Sequence, residues 1–283
     1  MNQNSHHSRR SFLTALCIAG ASRARAEEPE IRVPAYNTLT DGQEIALGRE
    51  AAAAIEKENK LRFVEQREVR DYVNGLFQKI VKTSRRPNLP YSIKIVDTKE
   101  INAFALPGGF VYLNRGLMEW ARSESEMTAT LCHEVGHVAA HHSANAMARE
   151  SSADSLLSEA SQVLLGDDTP ARILKQISGP IASLALLKYS RTQELEADLL
   201  GFYNMQRAGW DPQGMLELFR HFGESATLLD PLFTLTSDHP LDADRETQIA
   251  DEMRRFPPPR GLVHDTEQFK RMQAELKRLP RPV

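Results

Sequence analysis

The chain has 283 residues, 41% hydrophobic and 26% charged, enough to bury a sizeable core in one domain or one plus a small appendage. Its 35 Lys and Arg against 38 Asp and Glu give a formal charge of −3, and this mildly acidic balance gives no support for a nucleic-acid partner, which would call for a clustered basic surface. The first 26 residues hold Arg9, Arg10, Arg23 and Arg25 and no acid, so the remainder has 31 basic residues against 38 acidic ones, a net −7.

Those first 26 residues have the three-part layout of an export signal: a basic pair, an apolar run from Phe12 to Ala21, and Ala24-Arg25-Ala26 as a small-x-small cleavage site. The apolar run is too short to span a bilayer. Ser8-Arg9-Arg10-Ser11-Phe12-Leu13 resembles a twin-arginine signal, which predicts a periplasmic or otherwise exported protein. Leu16, before Cys17, is too bulky for the small position of a lipoprotein signal. Cleavage would leave Cys132 without a disulfide partner, as a small buried hydrophobe.

Beyond the signal, Thr40 to Gln43 fits a capping box, and two helical patterns, to Lys60 and from Val64 to Lys82, predict an N-terminal helical cover over about 39–85. Arg86-Pro87-Asn88-Leu89-Pro90 breaks the pattern, and Tyr91 to Val96 alternates as a strand should. Phe104 to Leu113 reads as two short strands around Pro107-Gly108-Gly109. Ser123 to Glu126 fits a second capping box, opening a helix expected to run to about His142. Helical patterns follow at 144–165, 181–208 and 213–222, then a loop with Asp238-His239-Pro240, a helix through Arg254, and a break at Pro257-Pro258-Pro259. The longest apolar stretch, Ile181 to Leu187, cannot cross a membrane, so no transmembrane segment is expected in the mature chain. Residues 257–283 read as a short, charged C-terminal tail.

His133-Glu134-Val135-Gly136-His137 carries the chemistry. Residues four apart share a helix face, so His133 and His137 can place two imidazoles on one ion, with Glu134 beside the metal rather than on it. Two neutral ligands would hold zinc, the zinc would acidify a bound water, and Glu134 would accept its proton. With nine His in the chain, chance alone would supply such a string in roughly one of 50 sequences, so a third ligand must decide. A metzincin pattern would need a histidine at 143 and a glycine at 140, which are Ser143 and Ala140. His141 lies about 12 Å along the helix from His133, too far for easy sharing of one ion, and His141 and His142 read as polar groups at a helix end. Glu194, within Ser190 to Asp198, is the third source. Glu194 and Asp198 are four apart, so one carboxylate can bind zinc while the other accepts the spare N–H of a ligand histidine. Glu196 reads as part of an ordinary acidic face.

Three ordered stretches, Asn102 to Gly109, His133 to His137 and Ser190 to Asp198, together resemble peptidase family M48, that of the CAAX prenyl protease, HtpX, and the Oma-type, BepA and LoiP proteases. The resemblance covers roughly Leu39 to Arg254. It implies an α+β, predominantly helical gluzincin-type metallopeptidase domain over 27–256, with a small β-sheet above the active helix. It also implies His133, His137 and Glu194 as ligands of one zinc ion, Glu134 as general base and Asp198 as a partner behind the ligands. His239-Pro240 with Arg245 resembles a further family motif, HPxxxxR, in which the histidine can sit on the zinc and block it and the arginine lies near the reaction centre. A guanidinium there could stabilise the oxyanion, making Arg245 a catalytic candidate.

Asn102, Ala103 and Phe104 are expected on a sheet edge above the zinc, where an extended substrate adds as a strand. Such binding reads backbone shape, which suits unfolded or misassembled polypeptide substrates in envelope quality control. A different class of function, chaperone-like client binding around a latent or structural zinc, fits the same residues. Cys132 projects about 100° away from His133 and is expected to pack rather than ligate.

Overall fold

A computed structural model describes residues 30, 39–147, 189–226, 239 and 243–282. The expected export signal, most of the helical pattern at 144–165, the loop at 166–170 and the first part of the pattern at 181–208 lie outside these residues. Helix α1 (Asp41–Glu58) starts at the expected capping box, in which the Thr40 hydroxyl accepts from Gln43 N–H and the Gln43 side chain accepts from Thr40 N–H. Helix α2 (Arg67–Lys82) sinks Val69, Val73, Leu76, Phe77, Ile80 and Val81 into the core, the spacing of a one-sided helix.

Strands β1 (Ser92–Val96), β2 (Ala103–Leu106) and β3 (Phe110–Asn114) form one sheet in the order β1-β3-β2, with β1 parallel and β2 antiparallel to β3. Pro107-Gly108-Gly109 makes the β2–β3 turn, with Gly108 at φ 73° and Gly109 at φ 95°, conformations that side chains disfavour. Helix α1 lies directly on this turn: a Cβ on Gly48 would stand 1.8 Å from the Pro107 carbonyl oxygen. The expected hairpin and its edge strand β2 are therefore both present.

After a short helix α3 (Arg115–Trp120) comes α4 (Glu124–Ala139), which carries His133 to His137. Every residue of α4 is buried, making it the axis of the domain. Ser123 accepts from Glu126 N–H as expected, but the Glu126 carboxylate turns to Arg122 N–H rather than closing the capping box on Ser123. The helix also stops earlier than its pattern suggested. Ala140 ends it, His141 takes the left-handed conformation at φ 59°, and residues 142–147 form a separate helical segment.

Helix α5 (Arg191–Ala208) packs along α4 and begins with a second complete capping box, Ser190 with Gln193. Helices α6 (Gln213–Ala226) and α7 (Ala243–Arg255) pack on α4 and α5.

The presumed charged tail contains a docked helix, α8 (Glu267–Arg278), which buries Phe269, Met272 and Leu276 against α2 and α3. Its apolar residues recur at three- and four-residue spacing among so many charges that the segment reads as solvated until a partner surface is known. Arg115 fastens its end by donating to the Leu276 and Pro280 carbonyls, and Glu124 accepts from Tyr72, Trp210 and Thr266 at the helix start. Phe269→Ala should cost about 3–5 kcal/mol, the usual range for emptying a buried aromatic position, measurable by urea unfolding. A loss under about 1 kcal/mol would mean that α8 is a mere appendage.

Candidate metal centre

His133 and His137 sit one turn apart on α4, and Glu194 and Asp198 one turn apart on α5. The two helices meet without a side chain between them at Gly136, where a Cβ would stand 2.7 Å from the Ala197 carbonyl oxygen. This contact sets the depth at which the carboxylates reach the histidines. Glu194 lies in the first turn of α5, where the helix dipole favours negative charge.

The donor atoms converge. His133 Nε2 is 2.9 Å from His137 Nε2 and 3.5 Å from Glu194 Oε2, and His137 Nε2 is 3.4 Å from Glu194 Oε1. His239 joins them, its Nδ1 lying 3.0 Å from Glu194 Oε1 and 3.2 Å from His133 Nε2. One ligand atom from each of the four residues falls within 4.8 Å of all the others, and all four residues are buried. Donors about 2.1 Å from a tetrahedrally held ion stand about 3.4 Å from one another. The five separations, 2.9 to 3.5 Å, lie near that edge, and three imidazoles with one carboxylate suit zinc, so the donor set fits the implied ion.

Glu134, fully buried, lies beside the cluster rather than in it, with Oε1 3.4 Å from His239 Nε2. Cys132 is buried, and its burial raises the thiol well above its ordinary range; it packs in the core. The side chain of Phe104 likewise serves packing, stacked on Tyr112 at 4.7 Å. The amide of Asn114 donates to the Asn102 carbonyl, so by antiparallel alternation the backbone groups of Ala103 and Ala105 face the outer edge of β2. Ser143 donates to the Ala105 carbonyl, which narrows the expected substrate edge to Ala103 and the Ala105 amide. Met215, Leu218, Phe219 and Phe222 line an apolar pocket beside His133 and His239.

Behind the donors, Asp198 Oδ1 lies 2.8 Å from His133 Nδ1. Arg245 departs from expectation. Its guanidinium donates twice to Asp198, at 2.6 and 2.8 Å, and stands 2.8 Å from Glu194 Oε2, all in a buried environment. The group envisaged as an oxyanion contact thus neutralises two buried carboxylates. Burial works against ionised Asp198, but Arg245 and then His133 more than offset it, holding its carboxyl below the usual range. Burial also opposes charge on His133, yet Asp198 and Glu194 raise its pKa to about 9. For His137, burial and the neighbouring His133 charge act together to lower it. For Glu194, hydrogen bonds from His133, His137 and His239 overcome burial and keep it ionised.

The histidines after the motif have partners that no helical projection indicates. His141 Nδ1 lies 2.5 Å from Glu44, and Glu44 also accepts from Arg86 at 2.7 Å. Arg86 in turn donates to the Val138 carbonyl, capping the end of α4 and tying it to α1. His142 is buried against His137, and Tyr189 stacks on the His137 ring at 3.8 Å. Proximity in sequence to His137 was the one available signal for His142, and Tyr189 had none.

Because Arg245 compensates Asp198 and Glu194 together, Arg245→Met should destabilise the fold by about 3–5 kcal/mol, the cost of leaving buried charge unpaired. Arg245→Lys should recover part of that, since an ammonium lacks the planar fork. Equal stability of all three proteins in thermal unfolding would refute the charge-compensation role.

The sequence model of peptidase family M48 matches residues 66–253, which include every donor of the cluster. A putative beta-barrel assembly-enhancing protease of Vibrio cholerae is 30% identical over 263 residues, covering 89% of this chain and 54% of that protein. The beta-barrel assembly-enhancing protease of Escherichia coli K12 is 26% identical over 261 residues, 89% of this chain and 53% of its own. The mitochondrial metalloendopeptidase OMA1 of Schizosaccharomyces pombe is 29% identical over 181 residues, 63% of this chain and 51% of that protein. The chain spans about half the length of these relatives. With the metal-binding helix, the downstream glutamate and the matched span in agreement, the chain belongs to peptidase family M48.

Proposed function

We propose that the chain is a zinc-dependent endopeptidase that hydrolyses peptide bonds in unfolded or misassembled exported proteins. The observation that carries this reading is the convergence of His133, His137 and Glu194 on one buried point, with Glu134 beside it. When bound there, zinc would acidify a water and polarise the scissile carbonyl. His133 and His137 would present their Nε2 atoms, held by the contacts to their Nδ1 atoms. Glu134, one residue along from His133 and off the ligand stripe, would take the water's proton and pass it to the leaving amine. Arg245 acts here as a positioning residue, through Asp198 and Glu194.

The outer edge of β2 at Ala103 suits backbone pairing with an extended chain. No helix among the described residues is long and apolar enough to cross a membrane. The signal-like N-terminus and relatives named for assembling β-barrels support a role in envelope quality control, with export by the twin-arginine route. One observation favours a second reading: His239 supplies a fourth donor, and four protein donors are the mark of a closed site. On that reading the centre is latent or structural, and the groove holds clients without cutting.

Two substitutions separate these readings. Glu134→Gln should keep the metal, read by mass spectrometry, and lower casein cleavage by about 10² to 10⁴, the usual worth of a positioned base; surviving activity would remove Glu134 from the mechanism. His239→Ala should raise cleavage of unfolded casein if His239 closes the fourth position. An unchanged or lower rate would assign it to catalysis or folding instead.

A further inference from the structure

We infer that His142 and Glu196 form a support for the ligating ring of His137, a two-step hydrogen-bonded chain that selects its metal-binding tautomer from the side opposite Asp198. The inference rests on reading His133, His137 and Glu194 as a metal centre. His137 Nδ1 is 2.8 Å from His142 Nδ1, and His142 Nε2 is 3.2 Å from Glu196 Oε2. His142 is 2% exposed and its contact with His137 is buried, while the Glu196 end is partly open to solvent.

Proton placement gives the chain a direction. A neutral imidazole has one N–H and one lone pair. His137 Nε2 faces His133 Nε2 and Glu194, so it can serve a cation only if the ring hydrogen resides on Nδ1. That hydrogen is then donated to His142 Nδ1, which must be the acceptor, leaving the His142 hydrogen on Nε2. Ionised Glu196 accepts it and cannot donate. The reversed chain would put the His137 hydrogen on Nε2, in the way of an ion, and would leave the Glu196 carboxylate facing a lone pair. An acceptor-only group at the far end therefore favours the one tautomer that can ligate.

The backbone is shaped to permit this. In an unbroken helix, residues 137 and 142 would project about 140° apart. The stop at Ala140 and the left-handed His141, held by Glu44, bring His142 back beneath His137. A non-glycine residue in that conformation is strained, and such strain persists where the surroundings enforce it. The three acids of α5 thus divide the labour: Glu194 faces the ion, Asp198 supports His133, and Glu196 supports His137 through His142.

The test measures zinc affinity by chelator competition on the full chain, with the melting temperature of the metal-free protein as a fold control. His142→Ala should weaken zinc binding about 10- to 100-fold, the usual effect of removing a partner behind a ligand. Glu196→Ala should weaken it several-fold with an unchanged metal-free melting temperature. His142→Asn, able to accept through Oδ1 and donate through Nδ2, should recover most of the affinity. Because Glu196 acts through His142, the double variant should lose no more than His142→Ala alone. Wild-type affinity in both alanine variants, or losses that simply add, would overturn the inference. Should His142→Ala fail to fold, Glu196→Ala decides by itself. A wild-type chain that takes up no zinc would sink the metal-centre reading, an outcome separate from failure of the support.

Discussion

Helices α4 and α5 touch backbone to backbone at Gly136 and Ala197, and the other features of the centre depend on that approach. Side chains here would hold the helices apart by the width of a methyl group or more, and the carboxylates of Glu194 and Asp198 would then fall short of the histidines. Gly201 repeats the contact one face along, where a Cβ would stand 3.1 Å from the His133 amide nitrogen. The glycine inside the motif is thus a packing requirement as much as a spacer between ligands.

Such close packing buries charge, and the molecule answers with compensation in layers. Glu134, Glu194 and Asp198 are all essentially inaccessible, with His133, His137, His239 and Arg245 among them. An isolated carboxylate in such a place would give up its charge. Here Arg245 holds two of the three acids ionised, and the proton favoured on His133 shares the work. The same arrangement turns the guanidinium of Arg245 toward Asp198 and Glu194.

Around this centre the remaining elements act as clamps. The Glu44 and Arg86 pair ties α1 to the end of α4, Glu124 gathers Tyr72, Trp210 and Thr266, and Arg115 holds the end of α8. Each joins segments far apart in sequence, so the rigidity needed at the metal ligands is drawn from the whole fold.

Much of this was legible in the linear chain, because the signals were local. A repeat of four residues sufficed to pair His133 with His137 and Glu194 with Asp198, capping residues marked where α1 and α4 begin, and Pro107-Gly108-Gly109 marked the turn of the sheet. The order of three motifs pointed to the family. Tertiary structure alone decided the rest, since it depends on what lies across a gap that no spacing encodes. Arg245 reads as a group facing the reaction until Asp198 and Glu194 are seen to take it, and the charged segment at 267–278 becomes a helix only when α2 and α3 offer an apolar surface. Glu196 lies on the far side of a helical projection from Glu194, and it enters the site because a left-handed residue at His141 returns His142 beneath His137. Periodicity describes one helix at a time; where a chain breaks and folds back, long-range contacts set the conformation, and those contacts exist only in the folded molecule.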